Sequence, residues 1–344
     1  MATTPDPLTP APPPPRRRRA VRYLRNTAIG LALVAAIFAA GPRNSFGPDT
    51  PAPRASPPTS IGALDEWIGR QEAGVPDIRP GLAKGVVWHA AKRERTPWSV
   101  VYLHGFSASR LETAPLAEQV AQALGANLFH SRLTGHGRAS PQAMGEASVQ
   151  DWLADTTQAL RIGQLLGEKV LVISCSTGST LATWLALRPE GRSIAAHVFI
   201  SPNFGPRDKR SELINGPWGQ QIALALQGEM RGRTTEDPRE AHAWSTRHPT
   251  SALFPMMALV QQVRASDMAP FQTPLLVLYS EQDRTVDPQR TRDVFQRIGS
   301  SHKKAIVVDY SDSTGQHVLA GDIRAPRATA TMAASIVDWV RGLP

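Results

Sequence analysis

Apolar runs of strand length alternate with helical patterns from about Ile61 to the C-terminus, and this alternation constrains the fold most. An alternation of strands and helices is typical of parallel βαβ units. Strands without apolar–polar alternation fit a sheet that helices cover on both faces. The sequence therefore predicts an α/β fold with a mostly parallel central sheet. The predicted strands are Val86–His89, Trp98–Leu103, Asn127–His130, Val170–Ile173, Ala196–Ile200, Leu275–Tyr279 and Ala305–Val308, and the predicted helices are Leu111–Leu124, Val149–Leu166, Thr177–Leu187, Pro288–Ile298 and Ala328–Val340.

The alternation stops between Ile200 and Pro274. Residues 203–273 have a mostly helical pattern and include Trp218 and Trp244. A segment of this length is too long for a plain loop. We interpret it as a helical insertion that forms a cap over one end of the sheet. The alternative is a second packed layer that has no part in substrate binding.

The first 60 residues differ in composition from the rest and lie outside the predicted sheet. Residues 1–26 form a basic, Pro-rich arm with six arginines, and the uncharged apolar run Thr27–Ala40 follows. This order is typical of a signal peptide or a membrane anchor, and a buried core helix is the alternative. We therefore expect an exported or membrane-anchored protein with its catalytic domain on the non-cytoplasmic side. The Pro-rich residues 41–60 predict a linker, which leaves 61–344 as the globular domain.

The net charge of +9 does not indicate a nucleic-acid-binding protein. The N-terminal arm carries more than half of the excess positive charge, and the remainder is spread over the rest of the chain. No later segment combines a dense basic run with interleaved aromatic residues. Cys175 is the single cysteine, so an intrachain disulfide and the usual cysteine-based metal sites are excluded.

A candidate nucleophile lies in a turn between a predicted strand and a predicted helix. The turn reads Ser174-Cys175-Ser176-Thr177-Gly178, with small residues two positions before and after Ser176. A sharp strand-to-helix turn needs such residues and exposes the central hydroxyl. The pattern has Ser174 where glycine is usual, and a Ser-rich run can also be a helix cap. Cys175 is the rival nucleophile, and we interpret it as a small packing residue instead.

Two backbone N–H groups are candidates for stabilising an oxyanion. Phe106 follows His104-Gly105 at the end of a predicted strand, and Thr177 follows the candidate nucleophile. Amides in these positions can point at the oxygen on which charge develops. His136, in a glycine-rich turn, is interpreted as structural.

The candidate acid and base each follow a predicted strand. Asp283 comes after Leu275–Tyr279 and His317 comes after Ala305–Val308, so both belong at the carboxyl edge of the sheet, where ligands bind. Asp287 competes for the role of acid, but it precedes Pro288 and is better suited to cap a helix. His302 precedes its strand and therefore lies at the wrong edge.

These residues resemble the α/β-hydrolase superfamily, in particular its monoacylglycerol-lipase and carboxylesterase-like branch. The resemblance extends from about Val86 to Val340. It rests on His104–Phe106, Arg132–Gly137, Ser174–Gly178, Asp283–Pro288 and Gly315–His317. It implies an α/β-hydrolase fold with Ser176, Asp283 and His317 as catalytic residues, and Phe106 and Thr177 as the oxyanion hole.

The resemblance also implies the reaction. We expect hydrolysis of carboxylic esters, of acylglycerol or short-chain type, through an acyl-enzyme and without metal or organic cofactor. A peptidase or amidase on the same fold is an alternative, as is a non-catalytic binding protein. A complete set of Ser176, Asp283 and His317 argues against the latter, because a scaffold has no need to retain all three.

Overall fold

The computed structural model describes residues 15–344, with side chains from Ala20 onward. Residues 1–14 of the predicted basic arm, and the side chains of Arg16–Arg19, lie outside the described residues. The first element, helix α1 (Pro15–Ala39), contains the predicted apolar run. Its window Ala20–Ala39 has a mean hydropathy of 1.3 and none of it is buried. By length and composition this helix could cross a membrane.

Nine strands occur in the part of the chain described. They are β1 (Gly85–Val87), β2 (Thr96–Leu103), β3 (Asn127–His130), β4 (Gly167–Cys175), β5 (Ile194–Ile200), β6 (Met230–Gly232), β7 (Arg247–Pro249), β8 (Leu275–Tyr279) and β9 (Lys303–Val307). The helices after α1 are α2 (Leu64–Ala73), α3 (Leu116–Leu124), α4 (Val149–Leu166), α5 (Thr177–Ala186), α6 (Gly219–Gln227), α7 (Pro238–Ala243), α8 (Leu253–Ala265), α9 (Pro288–Arg297) and α10 (Thr329–Arg341).

Seven strands form the central sheet in the order β1-β3-β2-β4-β5-β8-β9. All neighbours are parallel except β1, which runs antiparallel to β3 at one edge. The predicted α/β fold with a mostly parallel sheet is therefore confirmed. Because β4 lies at the centre, the turn that follows it is flanked by the ends of β2 and β5.

The sheet has one apolar core on each face. In β2, Val101 and Leu103 belong to one core, whereas Val100 and Tyr102 belong to the other, because successive side chains of a strand point to opposite faces. The first core is covered by α2, α4, α5, α8 and α9, and the second by α3 and α10. This two-sided burial explains why the strands read as continuous apolar runs.

One predicted helix differs from the structure in its start, and one helix of the structure was not predicted. Helix α3 begins at Leu116, not at Leu111, because Pro115 disfavours helical backbone in the residue before it. Helix α2 is not among the predicted elements, although Leu64, Trp67 and Ile68 have helical spacing and are buried in the first core.

The insertion between β5 and β8 is the predicted cap segment, and it is not purely helical. It contains α6, α7, α8 and short 3-10 helices at Lys209–Asn215 and Thr250–Ala252. Strands β6 and β7 pair antiparallel within it. Because each of these strands has three residues, the sequence carries no recognisable strand period for them.

Residues 41–60 lie along the surface of the globular domain. Asp49 Oδ1 accepts a hydrogen bond of 2.8 Å from Trp184 Nε1. Gln150 Nε2 donates to the carbonyls of Phe46 and Pro48, at 2.8 Å each. A proline-rich segment has few backbone N–H groups to pair with its own carbonyls, and side chains of α4 provide donors instead.

We predict that Trp152→Ala strongly destabilises the fold. Trp152 of α4 has 0% exposure in the core, so its removal leaves a large cavity. We expect a loss of about 3–5 kcal/mol in the free energy of unfolding, measured by denaturant titration. The control Leu226→Ala removes a side chain that is 80% exposed, and its effect should stay within about 0.5 kcal/mol. Equal effects would contradict this description of the core.

Candidate active site

The turn after β4 holds Ser176 in an unusual backbone conformation. Its φ is 51° and its ψ is −117°, a region that residues other than glycine rarely occupy. The Ser176 N–H donates to the carbonyl of Ile200 at 3.0 Å, and the Ser176 carbonyl accepts from the N–H of Asn203 at 3.1 Å. Bonds to the end of β5 and the residues after it therefore hold the strained turn in place.

The small residues on either side of Ser176 are required by the packing of this turn. A Cβ at Gly178 would lie 2.2 Å from the carbonyl oxygen of Leu103 in β2, so no larger residue fits there. Ser174, which stands where glycine is usual, is fully buried, and its Oγ lies 3.0 Å from Ser179 Oγ. Its side chain is thus accommodated by a hydroxyl pair inside the turn.

Asp283 and His317 are in direct contact. His317 Nδ1 lies 2.7 Å from Asp283 Oδ2, and the other carboxylate oxygen accepts from the N–H groups of Thr285 at 2.7 Å and Val286 at 2.9 Å. Burial favours the neutral imidazole, but the charges of Asp283 and then Glu112 outweigh burial and raise the pKa of His317. A ring bonded through Nδ1–H to a carboxylate presents Nε2 as a base.

The loop before His317 is tied to the Asp283 loop. Gln316, at a φ of 52°, donates from Nε2 to the carbonyls of Ser311 at 2.9 Å and Ser313 at 2.7 Å. Its Oε1 accepts from Ser280 Oγ at 3.0 Å. Gln316 therefore orients the loop that carries His317. Its position next to His317 in the sequence does not by itself reveal this role.

Ser176 and His317 line one cavity of about 530 Å³ beneath the cap. Among the residues that the structure describes, no acceptor or donor is bonded to the Ser176 hydroxyl; in unliganded active sites such bonds are commonly long and shorten when substrate binds. Nowhere in the described residues do three His, Cys, Asp or Glu side chains come together as potential metal ligands.

The two candidate oxyanion donors line the same cavity. Within residues 15–344, neither the Phe106 N–H nor the Thr177 N–H is bonded to a protein acceptor. Thr177 is the first residue of α5, so its N–H also lies at the positive end of the helix dipole. The arrangement leaves two unpaired donors next to Ser176, as an oxyanion hole requires.

Glu112 is a buried carboxyl group behind His104–Phe106, the segment that we call the oxyanion arm, and no sequence pattern pointed to it. Its Oε2 accepts from the N–H of Gly105 at 2.8 Å and from Tyr102 Oη at 3.2 Å. A Cβ at Gly105 would lie 2.7 Å from Glu112 Oε1 and 3.1 Å from the Cβ of Ser176. Burial raises the pKa of Glu112. No sequence signal marks it, because it follows His104 by eight residues in an irregular segment.

The rejected alternatives occupy other positions. Cys175 is fully buried, which raises the pKa of its thiol well above the usual range and keeps it protonated. Asp287 Oδ1 caps α9 by accepting from Gln289 N at 3.0 Å. The His302 carbonyl accepts a hydrogen bond from the N–H of Leu275, the first residue of β8, at the sheet edge opposite the site. His136 is buried against Trp152, and burial lowers its pKa well below the usual range.

Comparisons with known proteins agree with this fold. The family model "Serine aminopeptidase, S33" matches residues 94–311, more than half of the chain. The thermostable monoacylglycerol lipase of Bacillus sp. (strain H-257) is 25% identical over 213 residues, which are 62% of this chain and 81% of that protein.

Solved structures share the fold at low sequence identity. A structure described as one of two metagenome-derived lipolytic enzymes has a TM-score of 0.59 and 19% identity, and covers 78% of this chain and 100% of its own. Monoglyceride lipase from Saccharomyces cerevisiae has a TM-score of 0.57 and 12% identity, with coverage of 75% and 90%. The chain belongs to the serine aminopeptidase S33 family of α/β hydrolases.

Proposed function

We propose that this chain is a serine hydrolase that cleaves carboxylic esters, with Ser176 as nucleophile, His317 as base and Asp283 as the acid that orients it. The observation that carries this proposal is the joint position of Ser176 and the Asp283–His317 pair on one cavity. The two free N–H groups of Phe106 and Thr177 beside Ser176 support the same assignment.

The proposed reaction proceeds in two steps. His317 Nε2 takes the proton of the Ser176 hydroxyl as Oγ attacks the ester carbonyl, and Asp283 stabilises the imidazolium. The Phe106 and Thr177 N–H groups bind the oxygen that becomes negative. The bond to the alcohol then breaks and His317 donates its proton to that alcohol. Water attacks the acyl-serine in the same way, which releases the carboxylic acid and restores Ser176.

The cavity favours an ester with an apolar acyl group over a peptide with a free N-terminus. The cap contributes Ile214, Leu253, Met256 and Met257 to its wall. An aminopeptidase needs a carboxylate that can pair with the substrate's ammonium group. Of the described residues that line the cavity, Glu112 is the one carboxyl group, and it already binds the Gly105 N–H. The monoacylglycerol lipase among the relatives supports an acylglycerol-type ester.

We further propose that helix α1 places the hydrolase domain at a membrane, on the non-cytoplasmic side. Its 20-residue apolar window is fully exposed, which is costly in water. The residues directly after α1 contact the cap: the Trp218 N–H donates to the Pro42 carbonyl at 2.8 Å, and a Cβ at Gly41 would lie 2.0 Å from Trp218 Nε1. This contact would keep the cavity close to the bilayer, within reach of amphiphilic esters.

We expect Ser176→Ala to lose short-chain aryl esterase activity by roughly a thousandfold or more, because the nucleophile is removed. Labelling with a fluorophosphonate, followed by gel electrophoresis, should detect the wild type and not this variant. The matched control Cys175→Ser changes the neighbouring buried residue and should retain both activity and labelling. A labelled Ser176→Ala protein, or an inactive Cys175→Ser protein that remains folded, would contradict the assignment.

The pH dependence of kcat/KM should show an acid limb above the ordinary histidine pKa of about 6.5. His317 must be neutral to accept a proton, and its pKa is raised, so activity falls as the pH falls through that raised value. Glu112→Gln removes a negative charge that favours the imidazolium, and the limb should therefore shift to lower pH. Asp287→Asn, a change in a helix cap, should leave the limb in place. An unshifted limb in Glu112→Gln would contradict an electrostatic effect of Glu112 on His317.

A fusion of residues 1–60 to a reporter that is active only after export tests the location. We expect an active reporter, because the apolar run inserts and the preceding arginines stay cytoplasmic. The control Leu31→Arg/Val34→Arg places two charges in the run, each costing about 2.5–3.5 kcal/mol at a helix centre, and should abolish export. A cytosolic, soluble wild-type fusion would exclude both a signal peptide and an anchor. The mass of the exported chain then distinguishes cleavage from anchoring.

A further inference from the structure

Three arginine side chains line the cavity that contains Ser176. Arg231 lies in strand β6 of the cap, Arg233 directly follows that strand, and Arg324 comes from the segment before α10. The proposed hydrolysis of a neutral ester uses none of them. They form one positively charged wall, which we call the arginine wall.

The arginine wall lies close to the oxyanion arm. In the β6–β7 pair, Arg231 is directly opposite His248, and residues opposite each other in antiparallel strands project from the same face. Both side chains line the cavity. The His248 ring packs edge to face on Phe106, with 5.3 Å between the ring centroids. His248 therefore connects the strand that carries Arg231 to Phe106, whose N–H group is proposed to bind the oxyanion.

The positive charge of the arginine wall is only partly neutralised. Arg233 and Arg324 share a single carboxylate, that of Glu240. Arg231 has no carboxylate within 4.0 Å among residues 20–344. Partial burial lowers the pKa of Arg231, and no carboxylate opposes this shift. Burial lowers the pKa of Arg233, and the positive charge of Arg324 lowers it further. The wall thus has more guanidinium groups than acids to pair with them.

Guanidinium groups bind phosphate and carboxylate oxygens in a bidentate manner, and such charge-assisted bonds are stronger than neutral ones. Arg231 is exposed to solvent, so a ligand inside the cavity can reach it. The apolar cap residues Ile214, Leu253 and Met257 line another part of the cavity, where an acyl chain can pack. The cavity therefore offers an apolar part and a cationic part near the same nucleophile.

We propose that the arginine wall binds an anionic oxyacid group of the substrate, so that the preferred substrate is an acyl ester that also carries a phosphate or a carboxylate. This inference rests on the proposed ester hydrolysis at Ser176 and specifies its substrate class. Arg231 binds the anion directly, whereas Glu240 holds Arg233 and Arg324 in position. The reaction itself is unchanged: the acyl–oxygen bond to the alcohol breaks and the anionic group remains intact.

Matched substrates test this proposal with the full chain. The three are 1-decanoylglycerol, 1-decanoylglycerol 3-phosphate and the decanoyl ester of glycolic acid, each assayed as dispersed monomers. We expect a higher kcat/KM for one or both anionic esters than for the neutral one. Arg231→Gln should lower the anionic values by roughly tenfold to a hundredfold, because a charged hydrogen-bonding partner is lost. Its activity on 1-decanoylglycerol should remain, which also shows that the variant is folded.

Two further variants sharpen the comparison. Arg231→Lys keeps the charge but loses the bidentate geometry, and should retain part of the preference. Arg210→Gln is the matched control: Arg210 is an exposed cap arginine that pairs with Asp208 and does not line the cavity, so its removal should leave all three kcat/KM values unchanged.

The outcomes separate this inference from the proposed function. Equal kcat/KM for all three esters, with no effect of Arg231→Gln, would overturn the anion site and leave ester hydrolysis intact. Failure to hydrolyse any ester would refute the proposed function and the inference with it. An effect of Arg231→Gln that appears on anionic vesicles and not with dispersed esters would assign the arginine wall to a lipid surface, which overturns the substrate proposal. A preference for phosphate or for carboxylate supports it and identifies the anion.

Discussion

The turn that carries Ser176 depends on backbone contacts with the strands around it. A serine at a φ of 51° is strained, and the chain can hold it there because the Ser176 N–H and carbonyl are bonded to Ile200 and Asn203. Helix α5 must also approach β2 so closely that only glycine fits at position 178. These contacts require β4 to lie between β2 and β5 at the centre of a parallel sheet. The position of Ser176 on the cavity is thus a consequence of sheet order.

The same sheet edge collects the remaining groups of the site. Asp283 follows β8 and His317 follows β9, and parallel strands bring their carboxyl ends to one edge. Two backbone N–H groups fix the Asp283 carboxylate, and Gln316 fixes the loop before His317. Glu112 adds a second buried carboxyl group, which holds the Gly105 N–H and acts on the pKa of His317. The site therefore combines elements that are far apart in the chain.

The cap supplies the parts of the cavity wall that the sheet and its loops do not provide. It covers the cavity with apolar side chains from α8 and from the 3-10 helix Lys209–Asn215, and with Arg231 of β6 and the adjacent Arg233. Through Trp218 it also contacts the residues that follow α1. Substrate class and location, as proposed here, would thus depend on the same insertion. The cap does not join the central sheet, but it is tied to the turn at Ser176, because the N–H of its first residue, Asn203, binds the Ser176 carbonyl.

The sequence by itself determined the α/β fold, because strands buried on both faces must be apolar throughout, and the runs around Val170–Ile173 and Leu275–Tyr279 show this directly. Local patterns also predicted that Asp287 caps the N-terminus of α9 and that His302 lies at the sheet edge opposite the site. Both predictions follow from strand and helix boundaries. The assignment of Ser176, Asp283 and His317 as catalytic residues is a prediction that the observed Asp283–His317 contact supports.

Only the tertiary structure decided the parts that depend on contacts between distant segments. Glu112 and Gln316 acquire their roles from neighbours in space, so no local pattern marks them. The β6–β7 pair is too short for a strand period, and therefore the position of Arg231 in the cavity could not be predicted. Residues 41–60 read as a linker from composition, yet they lie against α4 and α5, because Gln150 of α4 binds a carbonyl of this segment and Trp184 of α5 binds its Asp49 carboxylate. The composition of a segment limits how much apolar surface it can bury, whereas its contacts with the rest of the fold decide where it lies.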